Sequence, residues 1–149
     1  MTAATLAIWC AVALSGLPPR MVEARAADCM SVARAADERG EDVALVLSLV
    51  WEESKFKRGA VSKRGARGLF QLMPVLRSVC DSECEIAAGF CAVDHWRSRA
   101  GDDPVSWLAH YNGGNEPGRR AQQYARRVVR RAVEWDRRVA AVLGAAEGE

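Results

Sequence analysis

The 149-residue chain is predicted to form an all-α fold in a single domain. Apolar residues recur at the spacings i, i+3, i+4 and i+7 in its periodic segments, as they do on the buried face of a helix. These segments begin after capping residues such as Asp and end before Gly. No segment shows the alternation of apolar and polar residues that is typical of a half-buried β-strand.

The N-terminal segment, residues 1–26, has the organisation of a signal peptide. Its apolar run Ala3–Leu17 is too short to cross a bilayer as a helix. The Ala-Arg-Ala sequence that ends at Ala26 is typical of a signal cleavage site. We therefore expect cleavage after Ala26 and a periplasmic or secreted domain of residues 27–149, with no stable membrane anchor. An alternative start at Met21 would leave no signal peptide.

Six helices are expected after this leader. Asp28 and Asp42 are suited to cap the first two, because their side-chain oxygens accept hydrogen bonds from the free N–H groups of a first turn. Gly40, between them, is typical of a helix end, and Pro74 should interrupt the third helix. The expected ranges are 28–39, 42–53, 68–73, 83–99, 105–110 and 120–143.

Two neighbouring carboxylates end the second helix, and their helical phase separates them. Glu53 follows Val46 by seven residues and Val50 by three, so it projects from the apolar stripe. Burial raises the pKa of a carboxyl group, which suits a general acid that works near neutral pH. Glu52 is rotated by about 100° and should stay solvated and ionised. Without the loop that follows, we would favour a structural carboxylate paired with an arginine.

A basic loop follows this helix. Residues 57–68 contain three glycines and five Lys or Arg residues. Gly65 and Gly68 allow backbone conformations and close contacts that a Cβ atom would block, although glycines of this kind also occur in ordinary turns. Beyond the loop, Gln71 offers a donor and an acceptor, and Met73 offers an adaptable apolar wall.

The whole segment resembles the catalytic signature of the lytic transglycosylases of the soluble, goose-lysozyme-like type. The matching sequence comprises Glu53-Ser54-Lys55-Phe56, Ala60-Val61-Ser62 and Gly65 to Pro74, over 22 positions. The resemblance implies a lysozyme-like helical domain with a catalytic cleft and Glu53 as the acid/base residue. It also implies that Ser62, Gln71 and Met73 line the sugar site, while Ser54 supports the helix end or orients Glu53.

Two later motifs extend the resemblance. The run Tyr111-Asn112-Gly113-Gly114 matches a family motif whose tyrosine borders the cleft, so we assign Tyr111 and Asn112 to substrate binding. Tyr124, followed by Val128, matches a tyrosine that hydrogen-bonds the catalytic glutamate. His110 departs from the family pattern, where a small residue is usual, and we interpret it as a helix-surface residue rather than a base.

Removal of the leader takes Cys10 away and leaves four cysteines, an even number that predicts two disulfides in an exported domain. If Cys84 and Cys91 share a helix, they lie about 10 Å apart along its axis, beyond the roughly 7 Å Cα separation that a disulfide spans. Spacing alone leaves Cys29 free to pair with Cys84 or Cys91. The family resemblance implies the pairs Cys29–Cys84 and Cys80–Cys91.

Charge and metal-ligand patterns add little. The net charge is +2, but eight arginines lie between residues 119 and 138. We favour a solvated helix face; the alternative is attraction to an anionic wall or membrane surface. No nucleic-acid recognition motif accompanies these arginines. There is no C-x-x-C sequence, and His95 and His110 lack ligand spacing, so no metal or other cofactor is expected.

The resemblance implies cleavage of the bond between N-acetylmuramic acid and N-acetylglucosamine in peptidoglycan, with formation of 1,6-anhydromuramyl ends. Hydrolytic glycosidases usually need two carboxylates, and no second acid stands out near these motifs. The small specialised members that the chain resembles suggest a monomer serving a secretion or conjugation machine. A hydrolytic goose-type lysozyme and a wall-binding accessory module are the alternatives.

Overall fold

A computed structural model describes residues 1–147 and confirms the all-α prediction. Within that range, β-type pairing is limited to two isolated bridges, Val61 with Arg67 and Arg67 with Leu72. The helices are α1 (Ala3–Leu14), α2 (Pro19–Glu38), α3 (Val43–Ser54), α4 (Pro74–Val79), α5 (Glu85–Ala100), α6 (Pro104–Gly113) and α7 (Arg119–Glu147).

Helix α3 is the centre of the core. All residues from Val43 to Val50 are buried, and the helix packs against α1, α2 and α7. Asp42 caps it as expected, accepting a hydrogen bond of 3.0 Å from the Leu45 N–H. At the other end Lys55 adopts a left-handed conformation with φ of 49°. The chain therefore leaves the helix immediately after the two glutamates and Ser54.

Helix α7 lies across α3 and α6. Its buried side comprises Ala121, Tyr124, Ala125, Val128, Ala132, Trp135 and Val139. Ser48 is buried within α3 and donates a hydrogen bond of 2.8 Å to the carbonyl of Val128. Such a bond contributes about 1 kcal/mol and disfavours sliding of one helix along the other. The contact between α3 and α7 thereby fixes Tyr124 beside the C-terminal end of α3.

The segment from Gly68 to Met73 is not helical, contrary to the sequence prediction. Arg67 and Leu72 exchange backbone hydrogen bonds of 3.1 and 3.0 Å. Gly68 and Gln71 have φ angles of 83° and 49°, which the right-handed helix cannot contain. Helix α4 begins only at Pro74, whose fixed φ and missing N–H are tolerated in a first turn.

The N-terminal region forms two helices. Leu6, Trp9 and Leu14 of α1 are buried in the common core, and α2 begins at Pro19, so the expected cleavage point after Ala26 lies inside a helix. The signal peptide stays a prediction. No helix within the described residues has both the length and the hydropathy that crossing a membrane requires. The last two residues of the predicted domain, 148 and 149, lie outside the described part.

The disulfide arrangement differs from the expected one. Cys80 and Cys91 are bonded, with Cα atoms 5.6 Å apart, as the resemblance implied. The expected Cys29–Cys84 pair is wrong: Cys29 is bonded to Cys10, at a Cα separation of 5.8 Å, and Cys84 is an exposed free thiol. The reason is that α1 packs on α2 and brings Cys10 to Cys29. The predicted pairing assumed that Cys10 is removed with the signal peptide.

Candidate active site

A cavity of about 170 Å³ opens beside the C-terminal end of α3. The basic loop and the end of α6 form its other walls. Its lining residues are Glu53, Ser62, Arg64, Ala66, Gln71, Met73, Tyr111 and Asn112. The structure thus brings together six of the eight catalytic and substrate-binding residues that the sequence indicates, and Ser54 and Tyr124 lie outside the lining.

Glu53 lines this cavity and has a strongly raised pKa. Burial is the main cause, and it raises the pKa of Glu53 from 4.5 to about 7. The hydrogen bond from the Tyr124 hydroxyl to Glu53 Oε1 opposes this rise, and the neighbouring charge of Glu52 adds to it. Glu53 forms no salt bridge with any described residue. Glu53 is therefore not a structural carboxylate paired with an arginine.

Glu52 has a different environment. It forms salt bridges with Arg127 at 3.0 Å and Arg131 at 2.7 Å, and its side chain is only 17% exposed. Burial would raise its pKa, but the hydrogen bonds and charges of the two arginines outweigh burial and lower it. Glu52 is thus ionised as expected, although two arginines stabilise the charge where the sequence predicted solvent. Both arginines come from α7, more than 70 residues away in sequence.

Two tyrosines frame Glu53 from α6 and α7. Tyr124 is buried behind the carboxyl group and donates its hydroxyl hydrogen to it. Tyr111 lines the cavity and donates a hydrogen bond of 2.6 Å to the carbonyl of Phe70. Burial, together with the charge of Glu53, raises the pKa of both hydroxyls well above 10. Both tyrosines are therefore neutral donors at physiological pH, and Tyr124 acts on Glu53 directly.

Some polar groups near the loop hold its backbone in place, and others are free to contact a ligand in the cavity. Ser54 donates a hydrogen bond of 2.8 Å to the Leu69 carbonyl, which holds the loop against the end of α3. The Gln71 amide nitrogen is bonded to the carbonyls of Ala60 and Gly68, at 3.0 and 2.9 Å. This leaves the Gln71 amide oxygen as the group that a ligand can use. Ser62 Oγ accepts from the Ala66 N–H at 3.0 Å and retains its own hydroxyl hydrogen.

The cavity rim contains one charged residue that is not among the predicted site residues. Arg64 lines the cavity and is exposed; its signal was its place in the basic loop two residues after Ser62. Asn112, which also lines the cavity, is exposed. His110 is not part of the lining. Its Nδ1 lies 2.9 Å from the Gly114 carbonyl oxygen, and its ring stacks on Trp96, which agrees with a structural role.

Glu53 is the only carboxylate among the residues that line this cavity. Asp81, Glu83 and Glu85 line a separate cavity on the other side of the loop. In the described part of the chain, no three His, Cys, Asp or Glu side chains gather where they could hold a metal ion. The arrangement therefore offers one proton-exchanging acid, two neutral phenols and amide or hydroxyl groups suited to a sugar.

Comparisons with known proteins agree with this arrangement. The family model "Transglycosylase SLT domain" matches residues 30–133, well over half of the chain. The chain belongs to the SLT domain family. The predicted membership of this family is thereby confirmed. No curated protein matches the chain.

The fold of this SLT domain also has a match among solved structures. An inactive Glu-to-Gln mutant of the lytic transglycosylase Slt from Pseudomonas aeruginosa is 21% identical, with a TM-score of 0.61. The match covers 74% of this chain and 24% of the Pseudomonas protein. The chain thus spans about a quarter of that protein's length, and the likeness confirms the lysozyme-like helical fold.

Proposed function

We propose that this SLT domain cleaves the β-1,4 bond between N-acetylmuramic acid and N-acetylglucosamine, with Glu53 as its single acid/base residue. The observation that carries the proposal is the state of Glu53. Its pKa of about 7 allows it to hold a proton near neutral pH, and no other carboxylate lines the cavity formed by the described residues. A pKa near the working pH suits a group that must first donate a proton and then accept one.

The reaction proceeds in two proton transfers. Glu53 donates its proton to the glycosidic oxygen, and the bond from that oxygen to C1 of the muramyl sugar breaks. The acetamido oxygen of the same sugar stabilises the positive charge at C1. Glu53, now a carboxylate, takes the proton of the C6 hydroxyl, and the C6 oxygen forms a bond to C1. The product is a 1,6-anhydromuramyl end, and water is not consumed.

The surrounding groups have supporting roles. Tyr124 holds the Glu53 carboxyl group in place through its hydrogen bond and stabilises the carboxylate that forms after the first transfer. The free amide oxygen of Gln71 and the hydroxyl of Ser62 are available to sugar hydroxyl or acetamido groups. Met73 and Tyr111 supply apolar surface for a sugar ring, and Asn112 contacts the strand at the rim.

Product analysis tests the proposal. Purified peptidoglycan is treated with the full chain, with Glu53→Gln and with Glu52→Gln as the adjacent control, and the products are identified by mass spectrometry. Anhydromuropeptides that form with the unmodified chain and the control, and disappear with Glu53→Gln, are the expected result. Reducing-end products would instead identify a hydrolytic lysozyme. Binding without any product would favour a wall-binding accessory module.

The cellular setting is part of the same proposal. We place the domain in the periplasm or outside the cell, acting as a monomer in local wall remodelling for a secretion or conjugation machine, as its resemblance to small specialised members suggests. N-terminal sequencing of the exported protein separates cleavage after Ala26 from retention of α1 with its Cys10–Cys29 bond. Light scattering measures the oligomeric state, and cross-linking in cells identifies the machine.

A further inference from the structure

Helix α7 carries its positive charge on one side. At 100° per residue, the eight arginines between residues 119 and 138 fall within an arc of about 140°. Glu134 lies on the same arc, and Asp136 lies on the far side of the helix. With those two acids the segment has a net charge of +6 in a chain of +2, so the rest of the chain has −4. The small overall charge conceals a strongly basic surface.

The arginines form two rows. The row nearer the protein consists of Arg120, Arg127, Arg131 and Arg138. Arg127 and Arg131 bind Glu52, and Arg138 donates to Ser15 Oγ at 3.0 Å. The other row, which we call the outer arginine row, consists of Arg119, Arg126, Arg130 and Arg137, all exposed. Its first three members form no ion pair with any described residue, and Arg137 lies 4.0 Å from Glu134. The row is about 27 Å long.

The outer arginine row lies on the helix that supplies Tyr124 to the candidate active site. Tyr124, which donates to Glu53, belongs to the same stretch of α7. Arg127, one residue after Arg126, binds the glutamate next to Glu53. The row faces about 120–160° away from Tyr124 around the helix, so it is a surface separate from the cavity. Guanidinium groups recur along it at every second turn or closer, where a second part of a polymer held in the cavity can contact them.

We propose that the outer arginine row binds the carboxylates on the peptides of uncleaved peptidoglycan while a strand of the same polymer occupies the cavity. This inference rests on the proposed function. Guanidinium groups bind carboxylates through paired hydrogen bonds. A helix that binds a bilayer inserts its apolar side, but the apolar side of α7 is buried against α3 and α6. The row thus offers charge without an inserting surface, which suits a hydrated polyanion better than a membrane.

A sedimentation assay tests this binding. The full chain carrying Glu53→Gln, which should not consume the polymer, is compared with the same chain carrying Arg119→Gln, Arg126→Gln and Arg130→Gln. A matched control removes three exposed charges elsewhere, through Arg34→Gln, Lys57→Gln and Arg99→Gln. We expect the row variant to bind insoluble peptidoglycan about tenfold more weakly at low ionic strength, since each exposed pair contributes modestly. The control should stay within about twofold.

Two further conditions sharpen the assay. The difference should vanish near 1 M salt, where the Debye length is about 3 Å, and with peptidoglycan whose carboxylates have been converted to methylamides. Equal binding by both chains, or row-dependent binding to the methylamide form, would overturn the inference. So would row-dependent binding to vesicles with anionic lipid in the absence of binding to peptidoglycan.

Activity separates this inference from the proposed function. In the chain that retains Glu53, the three substitutions should raise KM on whole peptidoglycan and leave kcat unchanged. They should not affect cleavage of soluble glycan that lacks peptides. If the chain that retains Glu53 yields no product but row-dependent binding persists, the proposed reaction fails and the wall-binding role of the row stands. Equal loss on both substrates would indicate a structural role and would contradict the inference.

Discussion

The loop between α3 and α4 separates two cavities of opposite character. The larger, about 480 Å³, is lined by Arg58, Arg77 and Glu85 among others; the smaller contains Glu53 and measures about 170 Å³. In the larger cavity Arg58 binds Glu85 at 3.0 Å and Asp28 at 2.6 Å. Glu53, by contrast, has a phenol for a partner. The candidate site is therefore distinguished by a buried acid without a cation, and not by its volume.

Hydrogen bonds on the side of the loop that faces the larger cavity fix the shape of the side that faces the smaller cavity. Glu85 accepts a hydrogen bond from the Leu69 N–H and fills the space that a Cβ atom at position 68 would need. Gly68 has a φ of 83°, which also favours glycine. Arg77 donates to the carbonyls of Gly65 and Leu72, at 3.0 and 2.9 Å. These bonds hold the backbone whose other side presents Ser62 and Gln71.

The largest expected effect comes from removing the acid. We expect Glu53→Gln to lower kcat by about a thousandfold or more, because loss of general acid and base catalysis costs 10²–10⁴-fold for each role. Anhydromuropeptide release measures the effect. The control is Glu85→Gln, an equal change on the other side of the loop, which should retain most activity. A comparable loss in both variants would remove the distinction between the cavities.

The same substitution should increase stability. The pKa of Glu53 is about 7 in the folded chain and 4.5 when unperturbed, so between these values the folded state holds more protons and its free energy of unfolding falls as pH rises. Gln cannot ionise and avoids this cost. At pH 8 Glu53→Gln should raise the free energy of unfolding by about 1–3 kcal/mol, and near pH 4 it should have little effect. Urea titrations at both values measure this difference.

The disulfide that walls the larger cavity should matter for stability alone. Cys80 and Cys91 close a short loop, and the double change to Ser should lower the free energy of unfolding by about 2–4 kcal/mol. Because neither residue lines the smaller cavity, kcat at a temperature where the variant stays folded should change less than about twofold. Cys84→Ser is the control and should alter neither quantity, since Cys84 is an exposed free thiol. A fall in kcat without loss of stability would show that the two cavities are coupled.

Helical phase was enough to distinguish Glu53 from Glu52, but it predicted little of their surroundings. The positions of Val46 and Val50 separate Glu53 from Glu52 because a helix repeats every 3.6 residues. The partners of Glu52 could not be predicted in this way, since Arg127 and Arg131 reach it only after α7 crosses α3. Gln71 adopts a left-handed backbone conformation although it is not a glycine. Because no glycine marks this turn, a helix was predicted there instead of a loop.

The predicted Cys29–Cys84 pair, unlike Cys80–Cys91, was wrong for a related reason. Spacing within one helix excludes a pair, but it does not show which two helices pack together, and the Cys10–Cys29 bond depends on α1 lying against α2. Short motifs with a family resemblance fared better. Tyr111 and Asn112 line the cavity, and Tyr124 reaches Glu53 from the other end of the sequence.

A smaller effect is expected from the paired acid of the larger cavity. Glu85→Gln removes the charge that Arg58 binds, and Arg58 is about half exposed, so the salt bridge itself contributes little. The hydrogen bond from the Leu69 N–H can persist through the amide oxygen. We expect the free energy of unfolding to fall by about 1 kcal/mol. Arg58→Gln should give a similar value, and a much larger loss in kcat than in stability would contradict a purely structural role.

A modest change in rate, together with the sharpest change in pH dependence, should follow Tyr124→Phe. The Tyr124 hydrogen bond lowers the pKa of Glu53 against the larger effect of burial, so its removal should raise that pKa. Because the reaction begins with protonated Glu53, the alkaline limb of kcat/KM should move to higher pH, with a loss of about tenfold or less at the optimum. Tyr111→Phe is the matched control, because its hydroxyl donates to the Phe70 carbonyl. It should lower binding without moving the limb. If the alkaline limb stays in place in Tyr124→Phe, or moves to lower pH, Tyr124 positions Glu53 without lowering its pKa. The difference between the two cavities would then depend on burial alone.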